Sequence, residues 1–256
     1  MAPAFLQDRA VKVALVLLPV VVPAVYLYRF SHNVSSKTTS TTGRRSADAG
    51  KSTSVGGSPR DPVSLPAEVK DASQWEVAYE RIVSHPIPAS SLAFPITGPT
   101  ETNTDRPSAL MRAYTSAAQA AFSSTPQAVA MRAAIGDAQA KRSFDADWIR
   151  DLSFGNGDLV NGAYRVVYHG HGQTADSERV ELAIEAPPSY KGHVPRGLIV
   201  SEIQKVGDEV VFVNETWMWR TLDERKTLIE AALPSWFHRL TVGWLVLKAM
   251  GHVMRS

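Results

Sequence analysis

The run VVFVNETWMWR, from Val210 to Arg220, constrains the fold more than any other stretch of the chain. Most of its residues are β-branched or aromatic, a composition that is typical of β-strands. Both of its faces are largely apolar, which favours a position in the middle of a sheet. A Gly-Asp turn precedes the run, and a tryptophan-rich segment follows it. We therefore interpret it as a central strand that lines a ligand pocket.

Three shorter segments before this run alternate between apolar and polar residues, as strands with one solvated face do. They cover residues 162–169, 179–185 and 197–204. The glycine-containing turns at 172–177 and 207–208 favour antiparallel hairpins between neighbouring strands. The sequence thus predicts a curved antiparallel sheet of at least four strands.

Apolar residues recur at helical spacing in the segment that precedes these strands. Ser108 is positioned to cap a first helix, and Thr125 with Pro126 to begin a second one that continues to about Arg142. Asp145 is the expected cap of a third, short helix. Helices followed by a sheet predict an α+β domain.

A long helix is expected to close the domain over residues 235–254, with Ser235 as its cap after Pro234. One broad side of this helix is apolar and includes Trp236 and Trp244, so we expect it to cover the core of the domain. A narrower polar stripe is expected to face solvent. It contains His238, Thr241, Lys248, His252 and Arg255.

The N-terminal part of the chain differs in composition from the rest. Residues 11–28 are apolar and predict a single-pass membrane anchor, although a cleaved signal peptide is the alternative. Which membrane it enters, and which side the domain faces, stay open. Residues 31–66 are rich in Ser, Thr, Gly and Pro and predict a disordered polar linker. Residues 67–256 then form a single α+β domain, which begins with a short ordered element, interpreted as a helix, from Ser73.

Composition excludes several classes of function. The chain contains no cysteine, which rules out disulfides, thiolate metal sites and cysteine nucleophiles. Its net charge of +2 is too small to indicate nucleic-acid binding. Motifs of serine hydrolases, zinc proteases and nucleotide-binding loops are missing from the sequence, so no cofactor is expected.

Two segments are similar to known families. Residues 183–200, with PPSYKGHVPRGLIV at their centre, and SWFHRLTVGWLV at 235–246 resemble START-like, or helix-grip, domains of unknown function. The pieces AAFSSTPQA, SFDADWI and FVNETWMWR, within 107–220, resemble an uncharacterised group of fungal membrane-anchored proteins. The first resemblance implies a hydrophobic ligand held between sheet and C-terminal helix. An NTF2-like cone is the alternative fold.

Two carboxylates are the candidate catalytic groups. Glu215 shares a strand face with two tryptophans, and burial in a pocket would raise its pKa and suit acid–base chemistry. Glu202 would join it if the strand register brings the two together. The alternative is that Glu215 lies on the outer face, solvated or paired with Arg220 or Arg165.

Aromatic residues are the candidate ligand contacts, although tryptophans more often belong to a core. A proline-rich loop at 187–196 is a candidate lid for the same pocket. The proposed ligand-binding residues are Phe212, Trp217, Trp219, Trp236, Trp244 and Tyr190.

His169 and His171 lie two positions apart, so they could bind a metal ion together with Glu181 or Asp176. Such histidines at a glycine-rich hairpin end are more often turn residues, and we expect no metal. The resulting hypothesis is a membrane-tethered domain that binds a hydrophobic small molecule or lipid. The alternatives are an isomerase, cyclase or hydratase that uses Glu215, and a non-catalytic protein-interaction module.

Overall fold

The computed structural model describes residues 21–45, 59–97, 106–187, 190–192 and 194–255. The chain divides into two units, Met1–Lys37 and Thr38–Ser256. In the first unit, residues 21–35 form a helix, α1, on which Tyr26 and Tyr28 are exposed. Within the described part of the chain, no helix combines the length and apolar character needed to cross a membrane. The predicted anchor begins at residue 11, and its residues 11–20 lie outside the described ranges.

The second unit contains an eight-stranded sheet in which every strand pair is antiparallel. Its strands follow the order β1-β2-β8-β7-β6-β5-β4, and β3 pairs with β8 beside β2. This confirms the α+β class and the antiparallel sheet. The strands are β1 (Thr38–Arg45), β2 (Trp75–Ser84), β3 (Ile87–Pro88), β4 (Leu159–Val160), β5 (Tyr164–His171), β6 (Ser177–Ile184), β7 (Arg196–Val206) and β8 (Glu209–Thr221).

The run from Val210 to Arg220 lies in β8, which is a central strand as predicted. Strand β7 pairs with it on one side and β2 on the other. The β7–β8 hairpin turns at Gly207-Asp208, where Gly207 has a φ of +63°. A positive φ at the first of two turn residues suits glycine, because a side chain there would be strained. The predicted hairpins β5–β6 and β7–β8 are both present.

The structure differs from the predicted linker at 31–66. Residues Thr38–Arg45 form β1, which pairs along its whole length with β2. Its threonines are β-branched and suit an edge strand, although they bury little apolar surface. Gly43 is required there, because a Cβ at that position would lie 2.3 Å from the ring of Tyr79. Residues 59–66 also pack onto the domain, with Leu65 buried. Residues 46–58 of the predicted linker lie outside the described ranges.

The element expected from Ser73 is a strand rather than a helix. Alternate residues of β2 point to opposite faces of the sheet. Charged side chains occur on both faces, and on each face they form ion pairs. Glu76 pairs with Arg220 on one face, whereas Arg81 pairs with Glu215 on the other. The charges therefore mark ion pairs inside the sheet and not the solvent side of a helix.

Five α-helices accompany the sheet in the described part of the second unit. Two of the expected caps are confirmed, since Ser108 accepts a hydrogen bond from the Met111 amide and Thr125 from the Ala128 amide. Asp145 is at the N-cap position of the short helix at 146–151, but its side chain makes no capping hydrogen bond. The second predicted helix is interrupted near Gly136, and Asp137 caps a separate helix after it. The helices are α2 (Ala109–Ser123), α3 (Pro126–Ala134), α4 (Ala138–Arg142), α5 (Ala146–Asp151) and α6 (Ala232–Val253).

Helix α6 begins before the predicted cap. Pro234 lies in its first turn, where the missing N–H costs no helical hydrogen bond. Ser235 is therefore not a cap. Its hydroxyl is buried inside the domain and donates to Glu80 instead.

The sheet has two unlike faces. The helix face packs against α2 and α6 and forms the larger apolar core, in which Phe212 contacts Tyr114. The outer face packs against residues 65–69 and holds a smaller core around Trp217. On β8, the helix face carries Val210, Phe212, Asn214, Thr216 and Met218, and the outer face carries Val211, Val213, Glu215, Trp217 and Trp219.

Candidate functional site

A solvent-open pocket of about 880 Å³ lies on the helix face of the sheet, between α3, α6 and the loops that flank β7 and follow β8. Its volume is within the range of ~300–1,000 Å³ that is typical of small-molecule sites. Much of the wall is apolar. This part includes Met131, Ile135, Ala163, Ile184, Ile199 and Met218.

Charged side chains surround the mouth of this pocket, and most of them are paired. Arg196 forms an ion pair with Glu224. Arg220 is buried and donates to Glu230 and Glu76. Although burial alone would raise the pKa of Glu230, hydrogen bonds from Arg220 and Thr227 lower it. These pairs hold the chain after β8 against the sheet.

Two cations at the same mouth differ from the others. Arg225 and Lys226 line the pocket and are exposed. Neither has a hydrogen bond or an ion pair with any described residue. Burial also raises the pKa of the Tyr164 phenol in the wall, which therefore stays uncharged. Among the described lining residues, the charges without an ion-pair partner are therefore the positive ones of Arg225 and Lys226, at the mouth of the pocket.

His238 lines the pocket wall and pairs with a buried carboxylate that is not itself part of the lining. His238, on α6, places its Nδ1 atom 2.5 Å from Oε2 of Glu80, on β2. The other oxygen of Glu80 accepts a hydrogen bond from the Ser235 hydroxyl, which lies one helical turn before His238. Glu80 is buried at 2% exposure, and Thr216, its cross-strand neighbour on β8, lines the pocket as well. The pair fixes the orientation of the imidazole and leaves Nε2 without a partner among the described residues.

Glu215 and Glu202 do come together, but on the outer face of the sheet. Both are fully buried, and neither lines the pocket on the helix face. Glu215 pairs with Arg81 and accepts from Trp217 Nε1 at 2.8 Å. Burial raises the pKa of Glu215, and the nearby guanidinium of Arg81 opposes that shift. The predicted catalytic role at a pocket beneath the C-terminal helix does not fit this position.

Glu202 belongs to the same cluster of buried charges. Arg179 Nε donates to its Oε2 at 2.7 Å and also reaches Glu181 through Nη1 at 3.3 Å. The two oxygens of Glu181 accept the backbone amides of Val63 and Ser64, both at 2.8 Å. The cluster therefore ties the segment before β2 to the outer face. We name Arg81, Arg179, Glu181, Glu202 and Glu215 the outer-face cluster.

Most of the aromatic residues that were predicted to line the pocket lie outside it. Trp219 and Tyr190 line the pocket, and Tyr190 lies in the predicted lid loop. Phe212 is part of the core below α2, and Trp217 stacks on Tyr79 on the outer face, with ring centroids 4.9 Å apart. Trp236 packs edge-on against Phe237, and Trp244 lies under the Lys248 ammonium. These four side chains contribute to packing, while the pocket is lined largely by aliphatic groups.

His169 and His171 are both on β5, opposite Val180 and Glu178. Over the described ranges, no group of three or more His, Asp or Glu side chains is arranged to hold a metal ion.

The sequence did not identify the histidine–carboxylate pair or the free cations. His238 was expected on the solvent side of its helix, yet its side chain is only 17% exposed. The available signal for Glu80 was a charged residue in a segment that also contains Glu76 and Arg81, which does not set it apart. No local pattern connects it to a histidine that lies 158 positions away.

Comparison of this chain with protein-family models, with curated proteins and with solved structures finds no match to any of them.

Proposed function

We propose that this protein binds an amphipathic small molecule or lipid, with an apolar body and an anionic group, in the pocket on the helix face. One observation carries the proposal: an apolar pocket of about 880 Å³ has two cations without partners among the described residues at its mouth. An apolar body gains free energy by leaving water for such walls. An anionic group would interact with Arg225 and Lys226 at the entrance.

The arrangement of sheet and closing helix supports a helix-grip type of binding site. In that arrangement, the central strand β8 and helix α6 enclose the ligand from two sides. Strand β8 contributes Thr216 and Met218 to the pocket wall, and helix α6 contributes His238. The site differs from the expected one in its aliphatic lining.

Two ligands with the same alkyl chain test the proposal, namely dodecanoate and dodecanol. We expect Ile199→Trp to abolish binding of both, because the indole would fill the space between sheet and α3. We expect the double variant Arg225→Glu/Lys226→Glu to bind dodecanoate roughly tenfold more weakly, a loss of about 1.4 kcal/mol. Its affinity for dodecanol should not change.

Isothermal titration calorimetry gives both affinities. Arg150→Glu is a suitable control, because this exposed arginine on α5 pairs with Asp147 and does not line the pocket. Binding that survives Ile199→Trp would place the ligand outside this pocket. Equal effects of the charge reversal on both ligands would contradict the role of the two cations.

Membrane tethering is the second part of the proposal. It is supported by the apolar run at 11–28 and by the apolar ligand, which would be supplied by a bilayer. The full chain should stay with membranes during alkaline carbonate extraction, whereas a chain that starts at Thr38 should be released. Release of the full chain would remove this part of the proposal and leave the pocket unaffected.

A further inference from the structure

We infer that the pocket is also an active site, in which His238 is the catalytic base and Glu80 is the residue that positions it. This inference rests on the proposed binding function, because a substrate must first occupy the pocket. It goes beyond that function by assigning a reaction, namely proton transfer within an apolar carbonyl compound that carries an anionic group.

The contacts of Glu80 support the first step of the argument. Its carboxylate is buried between Ser235 and His238 and accepts from both of them. Because an ionised carboxylate can only accept, we assign the proton of that hydrogen bond to Nδ1 of His238, which leaves Nε2 of the neutral imidazole with a free lone pair. A carboxylate behind an imidazole also stabilises the imidazolium that forms when Nε2 takes up a proton.

The location of the pair supports the second step. Surface histidines are usually free to rotate. The ring of His238, in contrast, is held by the hydrogen bond between Nδ1 and Glu80, and the residue lines the pocket. Two charged groups in the same pocket, Arg220 and Glu224, are already paired with other residues. Thr216 adds a hydroxyl on the strand position opposite Glu80. The pocket therefore brings one oriented base together with a neutral polar group, inside an apolar wall.

The reaction needs no co-reactant. Nε2 removes a proton from the α-carbon of a β,γ-unsaturated carbonyl compound, and the C–H electron pair moves into a dienolate. The imidazolium then returns the proton to the γ-carbon, which restores the carbonyl, leaves the C=C bond at the α,β position and regenerates the neutral imidazole. The net result is an isomerisation in which bonds, protons and electrons balance.

A nitrobenzisoxazole probe tests the base without knowledge of the natural substrate. A base removes its ring C–H proton, the N–O bond breaks, and a coloured cyanophenolate is released. We expect the full-length protein to accelerate this opening above the buffer rate. His238→Ala should lower kcat by roughly a hundredfold, the usual contribution of a positioned base. Added imidazole should restore part of the rate.

Glu80→Gln keeps the shape of the side chain and removes its charge. If Glu80 positions the base, this variant should lower kcat and leave KM for the probe unchanged. His252→Ala is the matched control, since this exposed histidine lies on the same helix, away from the pocket. It should react like the unaltered protein.

Dodecanoate affinity separates the two proposals. The inference is overturned if the protein opens the probe no faster than His238→Ala does, while dodecanoate binding and the melting temperature are normal in both. If the unaltered protein does not bind dodecanoate, the binding function on which the inference depends is overturned instead.

Discussion

Both faces of the sheet carry charged and titratable side chains, but the two faces differ in how completely these side chains are paired. The outer-face cluster is buried apart from Arg81, which is partly exposed, and each of its three glutamates accepts from at least two groups. On the helix face, His238 keeps an unpaired nitrogen, and Arg225 and Lys226 have no described partner. Charges that are paired and largely shielded from water support the structure and are not accessible to a ligand. The face with incomplete pairing is therefore the one that can act on another molecule.

Removing the central cation of the outer-face cluster should have the largest effect. In Arg179→Met, the side chain keeps most of its volume, but Glu202 and Glu181 lose their buried counter-charge. Breaking such a buried pair typically lowers the free energy of unfolding by about 3–5 kcal/mol. Urea denaturation followed by circular dichroism measures the loss.

Arg150→Met is the matched control for that change. Arg150 pairs with Asp147 on the surface of α5, with side-chain exposures of 61% and 93%. Exposed pairs of this kind contribute ~0–1 kcal/mol. Equal losses in the two variants would show that the outer-face cluster does not stabilise the fold more than a surface pair does.

A smaller effect, and one that depends on pH, is expected at Glu215. Its pKa is raised in the folded protein, mainly by burial, above the ordinary glutamate value of 4.5. Between these two values, the folded state holds a proton that the unfolded state has released. The free energy of unfolding contributed by Glu215 is thus complete below the unfolded pKa. It is lost as pH rises through the folded pKa, with a slope of at most about 1.4 kcal/mol per pH unit.

Glu215→Gln should remove this slope, because the amide cannot titrate. Urea denaturation over a pH series of both proteins measures it. Glu230→Gln is the opposite control, since hydrogen bonds from Arg220 and Thr227 lower the pKa of Glu230 despite its burial. The contribution of Glu230 is lost as pH falls through its folded pKa. A Glu215→Gln protein with the same pH slope as the unaltered chain would contradict the raised pKa.

The comparison of the faces also explains what the sequence could predict. Alternation and turn chemistry are local, so β5 to β8, their hairpins and the caps Ser108 and Thr125 were predicted correctly. The strand β1 was missed because its threonines, Gly43 and arginines resemble a linker until β2 is available to pair with them. A pattern of apolar residues cannot show that polar ones are neutralised by a partner elsewhere in the chain.

The candidate site was harder to predict for the same reason. The sequence named Glu215 and Glu202 as candidates, but it could show neither the register that brings them together nor which face the helices cover. Tryptophans appeared to mark a pocket, yet Trp217 fills the outer-face core instead. The pair of Glu80 and His238 depends on β2 lying beside β8 under α6, which is a contact between distant segments. Fold class follows from local patterns, whereas the site follows from tertiary contacts.

The smallest effect on stability is expected at the pocket mouth. Arg225→Ala with Lys226→Ala removes two exposed cations that have no partner in the described ranges. Surface substitutions without partners usually change the free energy of unfolding by less than about 0.5 kcal/mol. Without ligand, urea denaturation should therefore match that of the unaltered protein. With saturating dodecanoate, the unaltered protein should gain more stability than the variant, because it binds the ligand more tightly. A variant that is destabilised without ligand would show that these cations support the fold, and the contrast between the two faces would then fail at this point.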